Sequence, residues 1–110
     1  MLQNGLYSIS FKDAAGRAEG SGVVVLHDGV LLGGDDVLFY SGSYQQKSNR
    51  FKATVTTSRH TEGRASLFGL EEVAISFAGT IVRSSASGFG ASANFPEVRL
   101  EVRLTFERSF

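Results

Sequence analysis

The chain contains no cysteine and no tryptophan, and only one proline, one methionine and two histidines. Without cysteine it has neither a disulfide framework nor a thiolate metal site, which removes the usual staples of small secreted domains. Charge of one sign is also missing: eleven Lys and Arg balance eleven Asp and Glu. No general field draws the molecule to nucleic acid or to an anionic membrane, and neither is expected as a partner. No apolar run approaches the roughly 20 residues of a spanning helix. The opening MLQNGLYSISF lacks the basic and apolar regions of a secretion leader, so the expected location is the cytoplasm. At 110 residues with 42% hydrophobic content, the expectation is one soluble domain over residues 1–110 with one core.

What is present is strand signal. Tyr7, Ile9 and Phe11 alternate with Ser8, Ser10 and Lys12, the period-two pattern of a strand buried on one face. The stretch Gly20 to Tyr44 organises the rest. Asp28-Gly29 separates two apolar runs and predicts a type I′ hairpin, whose central residues both need positive φ. Val23-Val24-Val25-Leu26 does not alternate: either both faces of that strand are covered or one is a contact surface. Gly33-Gly34-Asp35-Asp36 reads as a tight connection, with the glycines taking positive φ. Val37 to Gln45 is aromatic on both faces, so its register stays open.

Phe51, Ala53, Val55 and Thr57 define a fifth strand, and Val73, Ile75, Phe77, Gly79 and Ile81 line one face of a sixth. Phe89, Ala91 and Ala93 mark a seventh. In the eighth, Val98, Leu100, Val102, Leu104 and Phe106 alternate with Arg99, Glu101, Arg103, Thr105 and Glu107, and Pro96 is placed before it. Asp13 to Arg17 reads as a polar turn. The only helical turn foreseen lies at Ala65 to Leu70. Eight short strands with almost no helix describe a barrel or a sandwich, and the short connections favour an antiparallel up-and-down barrel. Such a barrel is just filled by side chains or holds one small ligand. The residues expected to line its interior are Tyr7, Ile9, Phe11, Val55, Phe77, Leu100, Val102 and Phe106.

Catalytic signals are thin. His27 and His60 have no HxH or HExxH spacing, no GxSxG elbow exists, and Asp35-Asp36 would point to opposite faces of a strand. Gly88 to Ala93 matches GxGxxA, but that fingerprint needs a following helix, and none is foreseen. Lys47, Arg50, Lys52, Arg59 and Arg64, opposed only by Glu62, read as a solvated face in preference to a phosphate stripe. No enzyme, metal or cofactor is expected.

Asn4 to Ile9, Gly20-x-Gly22, Gly29, Gly33-Gly34-Asp35 and Tyr40-x-Gly42 together resemble the GrlR family, negative regulators of type III secretion. The resemblance covers about the first 45 residues and the rest by strand count. It implies a lipocalin-like eight-stranded barrel that forms a homodimer and holds a protein partner, a transcriptional regulator, through an acidic Glu-Asp-Glu-Asp loop. The corresponding positions here are Gln46, Lys47, Ser48 and Asn49, where the acidic motif is absent and Lys47 is basic. The function expected is a non-enzymatic regulatory or protein-interaction barrel. The alternative is a carrier or sensor of a small apolar ligand.

Overall fold

A computed structural model describes residues 1–13, 16, 19–62 and 72–109, the Glu97 side chain excepted. Arg64, the helical turn foreseen at residues 65–70, and positions 14, 15 and 17 of the first polar turn lie outside the described residues. Eight strands follow one another: β1 (Gly5–Asp13), β2 (Glu19–His27), β3 (Val30–Gly34), β4 (Leu38–Lys47), β5 (Arg50–Arg59), β6 (Glu72–Val82), β7 (Ser85–Ser92) and β8 (Phe95–Arg108). Each pairs antiparallel with the next, and β1 pairs with β8, closing an up-and-down barrel. Closure gives every one of these strands a paired neighbour on both sides.

The turn chemistry explains the order. Asp28 and Gly29 have φ of 48° and 88°, the positive pair a type I′ hairpin demands. The β4–β5 and β6–β7 turns are equally short and begin with Ser48 (φ 57°) and Arg83 (φ 59°). These three turns sit at one end of the barrel, together with the N-terminal segment. There Leu2 is buried, and its backbone exchanges hydrogen bonds with the Gln46 side-chain amide, N to Oε1 at 2.8 Å and Nε2 to O at 3.0 Å.

Alternation then sorts each strand. Tyr7, Val24, Leu26, Leu31, Tyr40, Tyr44, Phe51, Val55, Val102 and Leu104 are buried in one interior cluster, while Val73, Ile75 and Leu100 form a second, bridged to it by Phe77. Arg99, Arg103 and Glu107 of β8 face outward and are exposed. Apolar inside and charged outside is the inverse of a lipid-embedded barrel with an aqueous lumen. Among the described residues no helix is long and apolar enough to cross a membrane.

One open point is settled and three expectations are revised. The open register of the fourth strand resolves with Leu38, Tyr40 and Tyr44 packed in the core and Phe39 exposed. Gly33 and Gly34 do not take positive φ; they are regular β3 positions. Gly33 is needed for close approach, since a Cβ there would run into the Val23 carbonyl oxygen and the Val24 Cα. The seventh strand starts at Ser85, because its inward residues Ala86, Gly88 and Gly90 carry too little bulk to produce visible periodicity; Ala93 falls in the following turn. Pro96 lies inside β8, not before it. The β1–β8 register begins at Asp13 opposite Leu100, and the β7–β8 register shifts between Gly90 and Ser92. Pro96 therefore occupies an irregular stretch where its missing N–H breaks no regular ladder.

Candidate functional site

Three regions of the barrel carry chemistry or surface that can be used. The first is the interior. Six of the eight residues expected to line it, Ile9, Phe11, Val55, Phe77, Leu100 and Val102, surround an apolar cavity of about 80 Å³. The other two pack against each other: the Tyr7 and Phe106 rings meet edge to face with centroids 5.3 Å apart. The Tyr7 hydroxyl donates to the Gln3 carbonyl at 2.7 Å, and burial raises the phenol's pKa. Phe77 lies so close to Gly90 that a Cβ at that glycine would collide with its ring. The cavity is about half the roughly 150 Å³ that admits benzene in an engineered apolar core, and far below the ~300 Å³ at which ordinary ligand pockets begin.

The second region closes the end of the barrel opposite the short turns. Asp35, in the β3–β4 connection, accepts hydrogen bonds from the Val37 and Leu38 amides at 2.8 and 2.7 Å through Oδ1, and from the Tyr40 hydroxyl through Oδ2. The Asp35 amide donates to the Leu38 carbonyl at 2.9 Å. Nε2 of His60 lies 2.9 Å from the Asp35 carbonyl oxygen and Nδ1 lies 2.6 Å from the Thr61 hydroxyl, so in the neutral ring Nε2 donates and Nδ1 accepts. Burial works against ionising Asp35, but the Tyr40 hydroxyl, the Leu38 and Val37 amides and the charge of His60 outweigh it and hold the carboxyl below its ordinary pKa. Burial, then the adjacent carboxylate, pushes the Tyr40 phenol up. A carboxylate spending its lone pairs on three donors, beside a phenol held neutral, suits a latch between two connections better than an acid–base pair. Sequence reasoning read Asp35 only as turn; the signal available was an Asp whose side chain can accept from the amides two and three residues on.

The third region is the outer wall of β2, β3 and β4. Cross-strand rows place Leu6, Val25 and Leu32 side by side, and Ser8, Val23, Gly34 and Phe39 in the next row. Val23, Leu32 and Phe39 are 49%, 55% and 45% exposed, and Val30 is exposed beside them. Neither row contains a charged residue. Charge appears at the margin, where Arg108 pairs with Leu6, the Ser8 hydroxyl donates to Glu107 at 2.7 Å and His27 stands 3.6 Å from Asp28. This wall is the exposed side of the non-alternating Val23–Leu26 run.

The positions expected to form the partner loop are the end of β4 and a hairpin turn. Gln46 belongs to β4 and its amide is held by Leu2, Lys47 ends the strand, and Ser48 and Asn49 form the two-residue turn. His27 and His60 lie at opposite ends of the barrel, and among the described residues no group of three or more His, Cys, Asp or Glu is placed to hold a metal ion. No protein-family model matches the chain, and no curated protein matches it.

Proposed function

We propose that this protein is a non-enzymatic interaction barrel that works as a homodimer, with the β2–β3–β4 wall as the subunit interface. The observation that carries the reading is that wall: six apolar side chains from four adjacent strands, close to half-exposed at Val23, Val30, Leu32 and Phe39. Contiguous exposed apolar surface on a folded domain marks an interaction site, because leaving it wet forfeits about 25 cal/mol for each Å². A second copy is the occupant best suited to it. A two-fold contact sets a patch against itself, and the uncharged central rows bring no like charges together. The resemblance to the GrlR family supports the same reading, with a regulatory role in the cytoplasm, although the acidic positions of that family are filled here by Gln46, Lys47, Ser48 and Asn49.

Sedimentation velocity at micromolar concentration tests it. The wild type should run as a dimer, and Leu32→Glu, which plants two facing carboxylates in the centre of the interface, as a folded monomer. A monomeric wild type, or a Leu32→Glu variant that still dimerises, contradicts the proposal.

The alternative, a carrier of a small apolar ligand, draws on the interior cavity. At about 80 Å³, it would admit such a ligand only with displacement of lining rings such as Phe77. Native mass spectrometry of protein purified from its own host should show the bare chain mass; a reproducible apolar adduct would favour the carrier instead.

A further inference from the structure

The wall formed by β5, β6, β7 and the start of β8 carries a feature of its own, and it makes no use of the proposed dimer interface. An open, shallow trough of about 580 Å³ runs across it. Its floor is made of small side chains. In one cross-strand row Lys52 stands opposite Ala78 and Ala78 opposite Phe89; in the next, Thr54 stands opposite Ser76 and Ser76 opposite Ala91. Strands are about 4.8 Å apart, so Lys52 and Phe89 flank the floor at a separation of about 10 Å. Phe89 is 42% exposed, an unusual position for a phenylalanine on a polar face. The Arg99 guanidinium is stacked above its ring, 3.9 Å from the centroid.

The sign of the charge is consistent. Among the described residues that line the trough, Lys52 and Arg99 are the only charged ones. Glu101, the residue of β8 opposite Phe89, is drawn the other way, to Lys12 across the β1–β8 ladder at 3.7 Å. The trough thus combines a cation on either side, a partly exposed aromatic ring and a floor without bulk. A guanidinium held over a ring is already ordered and still has N–H groups to donate, so it binds an anion with little loss of side-chain freedom.

We propose that this trough is a binding site for a small organic anion with a flat apolar body, such as an aromatic carboxylate. The body lies over Ala78 and Ala91 against the Phe89 ring, and the carboxylate is received by Arg99 and Lys52.

The test is a titration of the full-length, ¹⁵N-labelled protein with 2-naphthoate, followed by amide chemical shifts, with 2-naphthamide as the uncharged control. The expected result is saturable shifts clustered at Ala78, Phe89, Ala91 and Arg99. Binding should weaken about fivefold or more in Arg99→Gln and in Lys52→Gln, each an exposed site where loss of the fold is not expected. It should weaken also on raising salt from about 50 to about 500 mM, while the amide binds at least about fivefold less tightly than the acid. The absence of saturable shifts up to millimolar naphthoate would overturn the proposal. So would shifts confined to the Val23–Phe39 wall or the barrel interior, or equal affinity for the acid and the amide. Loss of dimerisation leaves these readouts unchanged, so the two proposals fail separately.

Discussion

Asp35 shows most plainly how one side chain fixes a whole connection. Its two carboxylate oxygens take three donors, one of them the Tyr40 hydroxyl whose ring forms part of the barrel interior. Asp35→Asn keeps the shape but leaves the Tyr40 hydroxyl facing a donor or losing its acceptor, and should cost about 1–3 kcal/mol in denaturant unfolding at neutral pH. The pH dependence has a fixed sign. Because the folded-state pKa of Asp35 is lowered, its contribution is present above the ordinary carboxylate value and is lost as pH falls from about 4 through the lowered folded value. The gap between wild type and Asp35→Asn should therefore close on acidification; a gap that is constant from pH 7 to pH 2 would contradict the assignment. Tyr40 behaves oppositely. Its folded pKa is raised, so its contribution is present below about pH 10 and is lost as pH rises beyond that, and Tyr40→Phe should flatten the alkaline limb of the stability profile. None of this pairing was legible in the sequence, where Asp35 and Tyr40 are merely a turn residue and an aromatic five positions on.

The β2–β3–β4 segment shows what strand patterning reveals and where it stops. The Asp28-Gly29 hairpin was readable because positive φ at both positions leaves few alternatives, and the strict alternation of β8 fixed its inner face. The register of β4 was not readable: Phe39 and Tyr40 are both bulky and aromatic, and only the pairing of Gly34 with Phe39 and of Gly33 with Tyr40 settles which one is inside. β7 was harder still, since a strand whose inward residues are alanine and glycine has no apolar rhythm, and the trough beside it, floored by equally small residues, left no signal either. The two faces of the hairpin lead to opposite expectations. Leu26→Ala empties a fully buried position and should lower stability by about 2–5 kcal/mol. Leu32→Ala, on the exposed side, should change the unfolding free energy of the isolated barrel by no more than about 0.5 kcal/mol while weakening self-association. Equal losses in thermal or urea unfolding would show that the faces have been misassigned.

As a whole the molecule is a closed barrel with a nearly solid interior, so the surfaces it can offer a partner are its walls and ends. The fold was legible from strand count and turn spacing, because eight strands, with six of their seven connections only two to five residues long, leave few other closed arrangements. The use of the fold was not, since barrels of this kind serve unrelated functions. Two walls differ in character: the uncharged apolar face of β2–β4, and the cation-flanked trough across β5–β8. That division agrees with a subunit that pairs on one side and keeps the other free. The most direct test of the pairing is an isotope-filtered NMR experiment on a mixture of labelled and unlabelled protein, which detects only contacts between subunits. The account predicts intermolecular contacts between the methyl groups of Val23, Val25 and Leu32 and the ring of Phe39. Their absence in a sample that sediments as a monomer, or intermolecular contacts confined to other walls, would contradict it.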